Sequence, residues 1–176
     1  VNKNHPELKG KVLDGFSFVN YTKDTFDDHG HGTHVAGSIA GANVGIAPKA
    51  KILPIKVLDG SGDNVKGFDA IIDGFEAVGT WKSKDGKRVN IVSASLSGDN
   101  KMLTKAQIKR FEDVINWLTR DKGISVIVSA GNTYKEEKRY PASFYEPICV
   151  GALDMARKKA LFSTTGDHVD LSQIGV

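Results

Sequence analysis

The chain has 176 residues, 40% of them apolar and 26% charged, with 24 Lys+Arg against 21 Asp+Glu and a formal charge of +3. That length can bury a core without disulfide staples, and a single cysteine, Cys149, forms no internal bridge, so a disulfide scaffold is excluded. The charge is mild and mixed, with no basic stripe interleaved with aromatics, and the longest apolar runs fall far short of the roughly 20 residues of a membrane span. Neither a nucleic-acid nor a membrane partner is expected.

The chain opens Val1-Asn2-Lys3-Asn4, with neither methionine nor a basic-then-apolar leader, and reads as a processed, trimmed or excised product. In chain order, β-branched runs predict strands over residues 12–18, 51–58, 89–93, 124–129, 148–153 and 168–171. Between them helical periodicity predicts helices over 34–40, 64–81 and 104–122. The last is the clearest. Ile108, Phe111, Ile115 and Leu118 recur at helical spacing, Thr104 and Gln107 stand at capping-box positions, and Gly123 stops it. Residues 41–45 and 59–63 are Gly-rich connecting loops, and 133–139 is a charged surface loop. Strands that are apolar on both faces and alternate with helices predict an α/β fold around a mostly parallel sheet, in one domain, 1–176, that reads as incomplete.

Three of the five histidines fall within six residues, in Asp28-His29-Gly30-His31-Gly32-Thr33-His34-Val35-Ala36-Gly37. A His-rich polar loop without chemistry is one reading. Zinc binding is another, because His-x-His-x-x-His resembles the cluster of metallo-β-lactamase-like hydrolases, although that family has an acidic residue where Thr33 stands and no second ligand group follows. A third uses the surrounding words: His31-Gly32-Thr33-His34-Val35-Ala36-Gly37 resembles the histidine signature of the subtilases, the subtilisin-like serine proteases. Histidine suits the role, since its ring can take a hydroxyl proton and return it to a leaving amine near physiological pH. Ala36 and Gly37 are expected to let the helix pack tightly on a sheet, and His34 to be a buried structural histidine.

Further segments resemble the same family in the same order. His5-Pro6-Glu7-Leu8 is similar to the segment after the catalytic aspartate's turn, and Gly45-Ile46-Ala47-Pro48 to the lead into a core strand. The stretch from Lys56 to Gly62, with Ser61 and Gly62, resembles one wall of the substrate cleft, and Ser95-Leu96-Ser97-Gly98 the opposite wall. Ser129-Ala130-Gly131-Asn132 resembles the oxyanion segment, and Tyr140-Pro141-Ala142, Val150-Gly151-Ala152 and Phe162-Ser163 follow in family order.

The resemblance implies a three-layer α/β fold with helices on both faces of the sheet, and a serine endopeptidase acting on protein or peptide substrates through an acyl-enzyme. His31 would be general base and acid and Asn132 the oxyanion donor. Ser61, Gly62, Ser95, Leu96, Ser97, Ala130 and Gly131 would line the cleft. The triad aspartate belongs in a turn before His5 and the triad serine beyond residues 170–176, so both are expected outside this chain, together with the first core strand and the serine-bearing helix. Asp27 and Asp28 are poor substitutes for the aspartate, and Ser95, Ser97 and Ser129 read as cleft wall rather than nucleophile. A non-catalytic peptide-binding relative is the alternative, with a zinc hydrolase third.

No cofactor is required for such chemistry. A structural calcium would be possible, but the loop over residues 40–45 is short against the family's tight calcium loop, and no metal ligand is assigned. Ser97 stands at a usual glycine position, and Asn64 near an aromatic lid position, which implies a more open distal pocket. Arg139, before Tyr140-Pro141, would either approach the base of the primary pocket and favour acidic side chains or be a solvated charge in its Lys/Glu-rich loop; the solvated reading is preferred. The resemblance favours secretion, the Lys-rich surface and short loop are compatible with an intracellular or phage-associated enzyme, and a propeptide or the remaining chain segments are expected partners.

Overall fold

The computed structural model describes residues 1–64 and 66–175, so Val65 of the expected second helix and Val176 of the last family-like segment lie outside the described residues. The chain divides into two units, Val1–Ala77 and Val78–Val176.

In the first unit β1 (Phe16–Ser17) runs parallel to β2 (Ile55–Lys56), with a further bridge between Val12 and Ile52. The expected strands over 12–18 and 51–58 are therefore present as a broken ladder. Ile52 exchanges bonds with Lys11 and Leu13, whereas Pro54 has no N–H to donate and can only accept from Phe16. Helix α1 (His31–Ala40) lies between these strands in sequence and buries Ala36 and Ala40. It begins three residues earlier than periodicity predicts, because the turn of Gly30, with φ of +104°, starts the helix at His31. Two expectations fail on α1. His34 is exposed, and a Cβ added at Gly37 would meet nothing within 4 Å, so close packing is carried by the alanines alone. Helix α2 (Phe68–Thr80) carries the chain out of the first unit and starts later than expected, after Gly67 at φ +65°.

The second unit is built on a four-stranded parallel sheet. β3 (Ile91–Ala94), β5 (Ser125–Ser129), β7 (Ile148–Leu153) and β8 (Leu171–Ile174) pair in that order. Parallel neighbours need a crossover, and α3 (Lys105–Asn116) supplies the one between β3 and β5. Its capping box forms as predicted: Thr104 Oγ1 accepts from the Gln107 amide at 3.2 Å and Gln107 Oε1 accepts from the Thr104 amide at 2.9 Å. The helix continues as a π-helical turn over Trp117–Asp121 and is stopped by Gly123 at φ +66°. Of the predicted stripe, Phe111, Ile115 and Leu118 are fully buried and Ile108 is half-buried. Phe144 stacks edge-on against Phe111 with ring centres 5.5 Å apart. β8 begins at Leu171, where the predicted strand ends, because Asp170 is engaged with Cys149: its carboxylate accepts the Cys149 amide at 2.7 Å. A small antiparallel pair, β4 (Gly98–Asp99) with β6 (Arg139–Tyr140), completes the unit; its Arg139 ends the segment 133–139 read from sequence as a charged loop.

Candidate active site

Parallel strands end in loops at their carboxyl edge, and α/β proteins place ligands there. In the second unit the carboxyl ends of neighbouring β3 and β5 run into Ser95–Ser97 and Ala130–Thr133. Together these loops wall a cavity of about 290 Å³, lined by Ser95, Leu96, Ser97, Ser129, Gly131, Asn132, Thr133 and Arg139. Five of the residues assigned to the cleft or oxyanion site are thus brought together. Ala130 is not among the lining residues: it is 1% exposed, and its amide donates to the Val150 carbonyl at 2.9 Å, tying the loop to β7.

The turn that presents Asn132 is held from below. Gly131 has φ of +105°, a conformation that L side chains rarely adopt, and a Cβ there would lie 3.0 Å from Arg139 Cδ, 3.0 Å from Thr164 Oγ1 and 3.2 Å from Ser97 Oγ. Thr164 is the clamp. Its amide donates to the Gly131 carbonyl at 2.9 Å, and its hydroxyl oxygen accepts the Thr133 amide at 3.1 Å. It is 1% exposed, and nothing in the local sequence distinguishes it, because its partners are 31 or more residues away.

Arg139 does not behave as the solvated charge that the sequence reading preferred. Its side chain is 18% exposed, its Nε donates to Ser97 Oγ at 3.1 Å and one terminal nitrogen to the Ser97 carbonyl at 3.2 Å. The β4–β6 pairing turns the residue inward by setting it opposite Asp99. Ser97, in place of glycine, is the group that receives it.

In the first unit His31 stands exposed at the start of α1. Asp27 holds that start. Its carboxylate accepts from the amides of Gly30 (2.8 Å), His29 (3.2 Å) and Thr33 (2.7 Å) and from Thr33 Oγ1 (2.6 Å). Burial opposes its ionisation, but these bonds outweigh burial and hold it well below the usual carboxylate range. Asp27 is therefore a helix-start anchor, a role missed in the sequence because no Ser, Thr, Asp or Asn stands at the N-cap itself. Asp28 pairs with Lys56 at 2.5 Å and accepts from the Tyr21 hydroxyl, which fastens the histidine loop to β2. Both carboxylates are thus engaged in holding local structure.

Ser61 and Gly62 lie exposed on a loop closed by Asp59, whose carboxylate accepts from the Ser61 amide at 2.8 Å and hydroxyl at 2.5 Å. This loop borders the histidine segment: a Cβ on Gly62 would be 3.5 Å from His29 Nε2. Asn64 is buried and its side-chain amide donates to the Val57 carbonyl, just past the end of β2. Among the described residues no group of three or more His, Cys, Asp or Glu is arranged to hold a metal ion. Cys149 is fully buried; burial, with the nearby Asp170 charge, pushes its thiol up to about 11.

Comparison with known proteins accounts for the order of these segments: the Subtilase family model, Peptidase_S8, matches residues 1–176. The chain belongs to the subtilase family. Subtilisin-like protease 2 of Pseudogymnoascus destructans is 36% identical over 173 residues, which cover 98% of this chain and 40% of that protein. Thermitase of Thermoactinomyces vulgaris is 35% identical over 183 residues, 99% of this chain and 60% of that protein. The crystal structure of a cold adapted subtilisin-like serine proteinase superposes with a TM-score of 0.83 at 30% identity, covering 99% of this chain and 59% of that one. The expected α/β fold with a mostly parallel sheet is thus the subtilase fold, and the chain spans 40–60% of the length of these subtilases.

Proposed function

We propose that the protein carrying this chain is a serine endopeptidase, with His31 as general base and acid and Asn132 as oxyanion donor. The observation that carries the reading is the unit-2 cavity, where Ser95–Ser97 and the Gly131–Asn132 turn border one space and Asn132 is exposed to it. An extended peptide can be held there by main-chain hydrogen bonds. The nucleophilic serine and the orienting aspartate are to be sought in sequence outside residues 1–176, as the family's motif order implies.

In this mechanism the serine hydroxyl attacks the substrate carbonyl while its proton passes to the His31 ring. The resulting oxyanion accepts the Asn132 side-chain N–H. The C–N bond then breaks as His31 returns the proton to the leaving amine, and water repeats the two transfers to release the acid.

Calcium fits poorly at the short loop. The Glu7 carboxylate there accepts from the Asn43 amide (2.8 Å), the Asn43 side chain (2.7 Å) and the Val44 amide (3.4 Å), donors that take up the oxygens a cation would need. We assign loop closure to Glu7.

The test uses the full-length protein. A fluorophosphonate probe should label one serine, and His31→Ala should abolish both labelling and peptide turnover. Asn132→Ala should lower kcat by about 10²–10³ with little change in KM, a range that comes from subtilisin, itself a member of this family. Unlabelled protein that still binds peptides would identify a non-catalytic relative, and wild-type turnover by His31→Ala would overturn the assignment of the base.

A further inference from the structure

The cavity beside Asn132 is polar to an extent that a pocket for an apolar side chain would not be. Apart from Leu96 and Gly131, every residue lining it carries a hydroxyl, amide or guanidinium group. Burying a leucine or phenylalanine against such groups would remove their water without replacing its hydrogen bonds.

Arg139 supplies the charge. Ser97 holds its Nε and one terminal nitrogen, which fixes the plane of the guanidinium. The remaining terminal nitrogen meets Glu137 at 3.6 Å, an ion pair too long for a hydrogen bond. Glu137 is also shared with Lys135 at 3.4 Å, so two cations divide one carboxylate. Asp99, opposite Arg139 in the β4–β6 pair, accepts the Lys101 amide at 2.8 Å. The guanidinium is oriented but only partly neutralised, as a receptor for a carboxylate should be.

The position of Asn132 tells which substrate residue enters. If Asn132 donates to the attacked carbonyl, the side chain reaching the adjoining cavity belongs to the residue that owns that carbonyl. Resting on the serine endopeptidase reading, we propose that Arg139 makes this cavity a pocket for an acidic side chain, so that cleavage follows glutamate or aspartate.

The experiment measures kcat/KM of the full-length protein on peptides that differ only at that residue, carrying Glu, Gln, Asp, Asn or Leu. Glu should exceed Gln, its neutral isostere, by about ten-fold or more, the scale of one charge-assisted hydrogen bond. Arg139→Gln should bring the Glu/Gln ratio to near one, and Arg139→Lys should retain part of it. Glu137→Gln, which removes the competing carboxylate, should raise the ratio and serves as the second variant if Arg139→Gln fails to fold. Equal rates for Glu and Gln in the wild type, a preference for Leu, a ratio that survives Arg139→Gln, or one that Glu137→Gln leaves unchanged would overturn the proposal. Should no peptide be cleaved and no serine be labelled, the endopeptidase reading fails separately. The Glu and Gln peptides are then compared by fluorescence anisotropy: ten-fold tighter binding of the Glu peptide supports the pocket and equal binding overturns it.

Discussion

Replacing Asp27 with alanine tests whether the helix that begins at His31 is held by one carboxylate. Four donors converge on Asp27, two of them from Thr33. Loss of a helix-start acceptor costs about 1 kcal/mol, and leaving the half-buried Thr33 amide without its partner costs about 1 more, for a total of about 2 kcal/mol. If α1 opens locally, its amides should exchange with solvent about 30-fold faster, since each 1.4 kcal/mol is ten-fold. Hydrogen exchange read by mass spectrometry on peptides covering residues 31–40 measures this. Asp27→Asn should show about half the effect, because one oxygen still accepts from Gly30 and His29 while the new amide faces the Thr33 N–H. The pH dependence has a definite sign. The folded-state value of Asp27 is depressed, so its contribution is complete above the unfolded value of about 4 and is lost as pH falls through the lower folded value. In thermal unfolding the gap between wild type and Asp27→Ala should therefore stay constant from pH 5 to 8 and narrow below pH 4. Unchanged exchange in α1, or a gap that persists undiminished at the lowest pH, would refute the reasoning.

The Gly131–Asn132 turn offers two further tests. Gly131→Ala places a side chain at φ +105° and 3.0 Å from both Arg139 and Thr164, so it should destabilise the second unit by about 2 kcal/mol and lower kcat; an unchanged urea midpoint would contradict the geometry. Thr164→Val keeps the shape but removes the acceptor for the Thr133 amide, and should cost about 1–2 kcal/mol and speed exchange at Thr133. At the short loop, Glu7→Gln should lower the thermal midpoint, and added calcium should not restore it. Recovery with calcium would show that the loop supplies oxygen ligands after all.

Local features were legible where neighbours in sequence decide the structure. The Thr104–Gln107 box, the Gly123 stop and the buried stripe of α3 involve residues at most a few turns apart, and β7 occupies the predicted 148–153. The family words single out His31 and Asn132 as candidates because each is embedded in a contiguous motif. Strand ends were less legible: Pro54 interrupts one ladder and Asp170 delays another through bonds to distant partners.

The fate of individual polar side chains was set by contacts that no window of sequence contains. Arg139 meets Ser97 across 42 residues and Thr164 meets Thr133 across 31, and either could have been left in water by a different loop path. His34 is exposed on a helix whose alanines are buried, because burial depends on which face the fold covers and not on the residue's own polarity. Composition, periodicity and motif order therefore determine the family, the elements and the chemistry to look for. Packing decides which charge is oriented in the pocket, because hydrogen bonds form only between groups that the folded chain has already brought within about 3 Å.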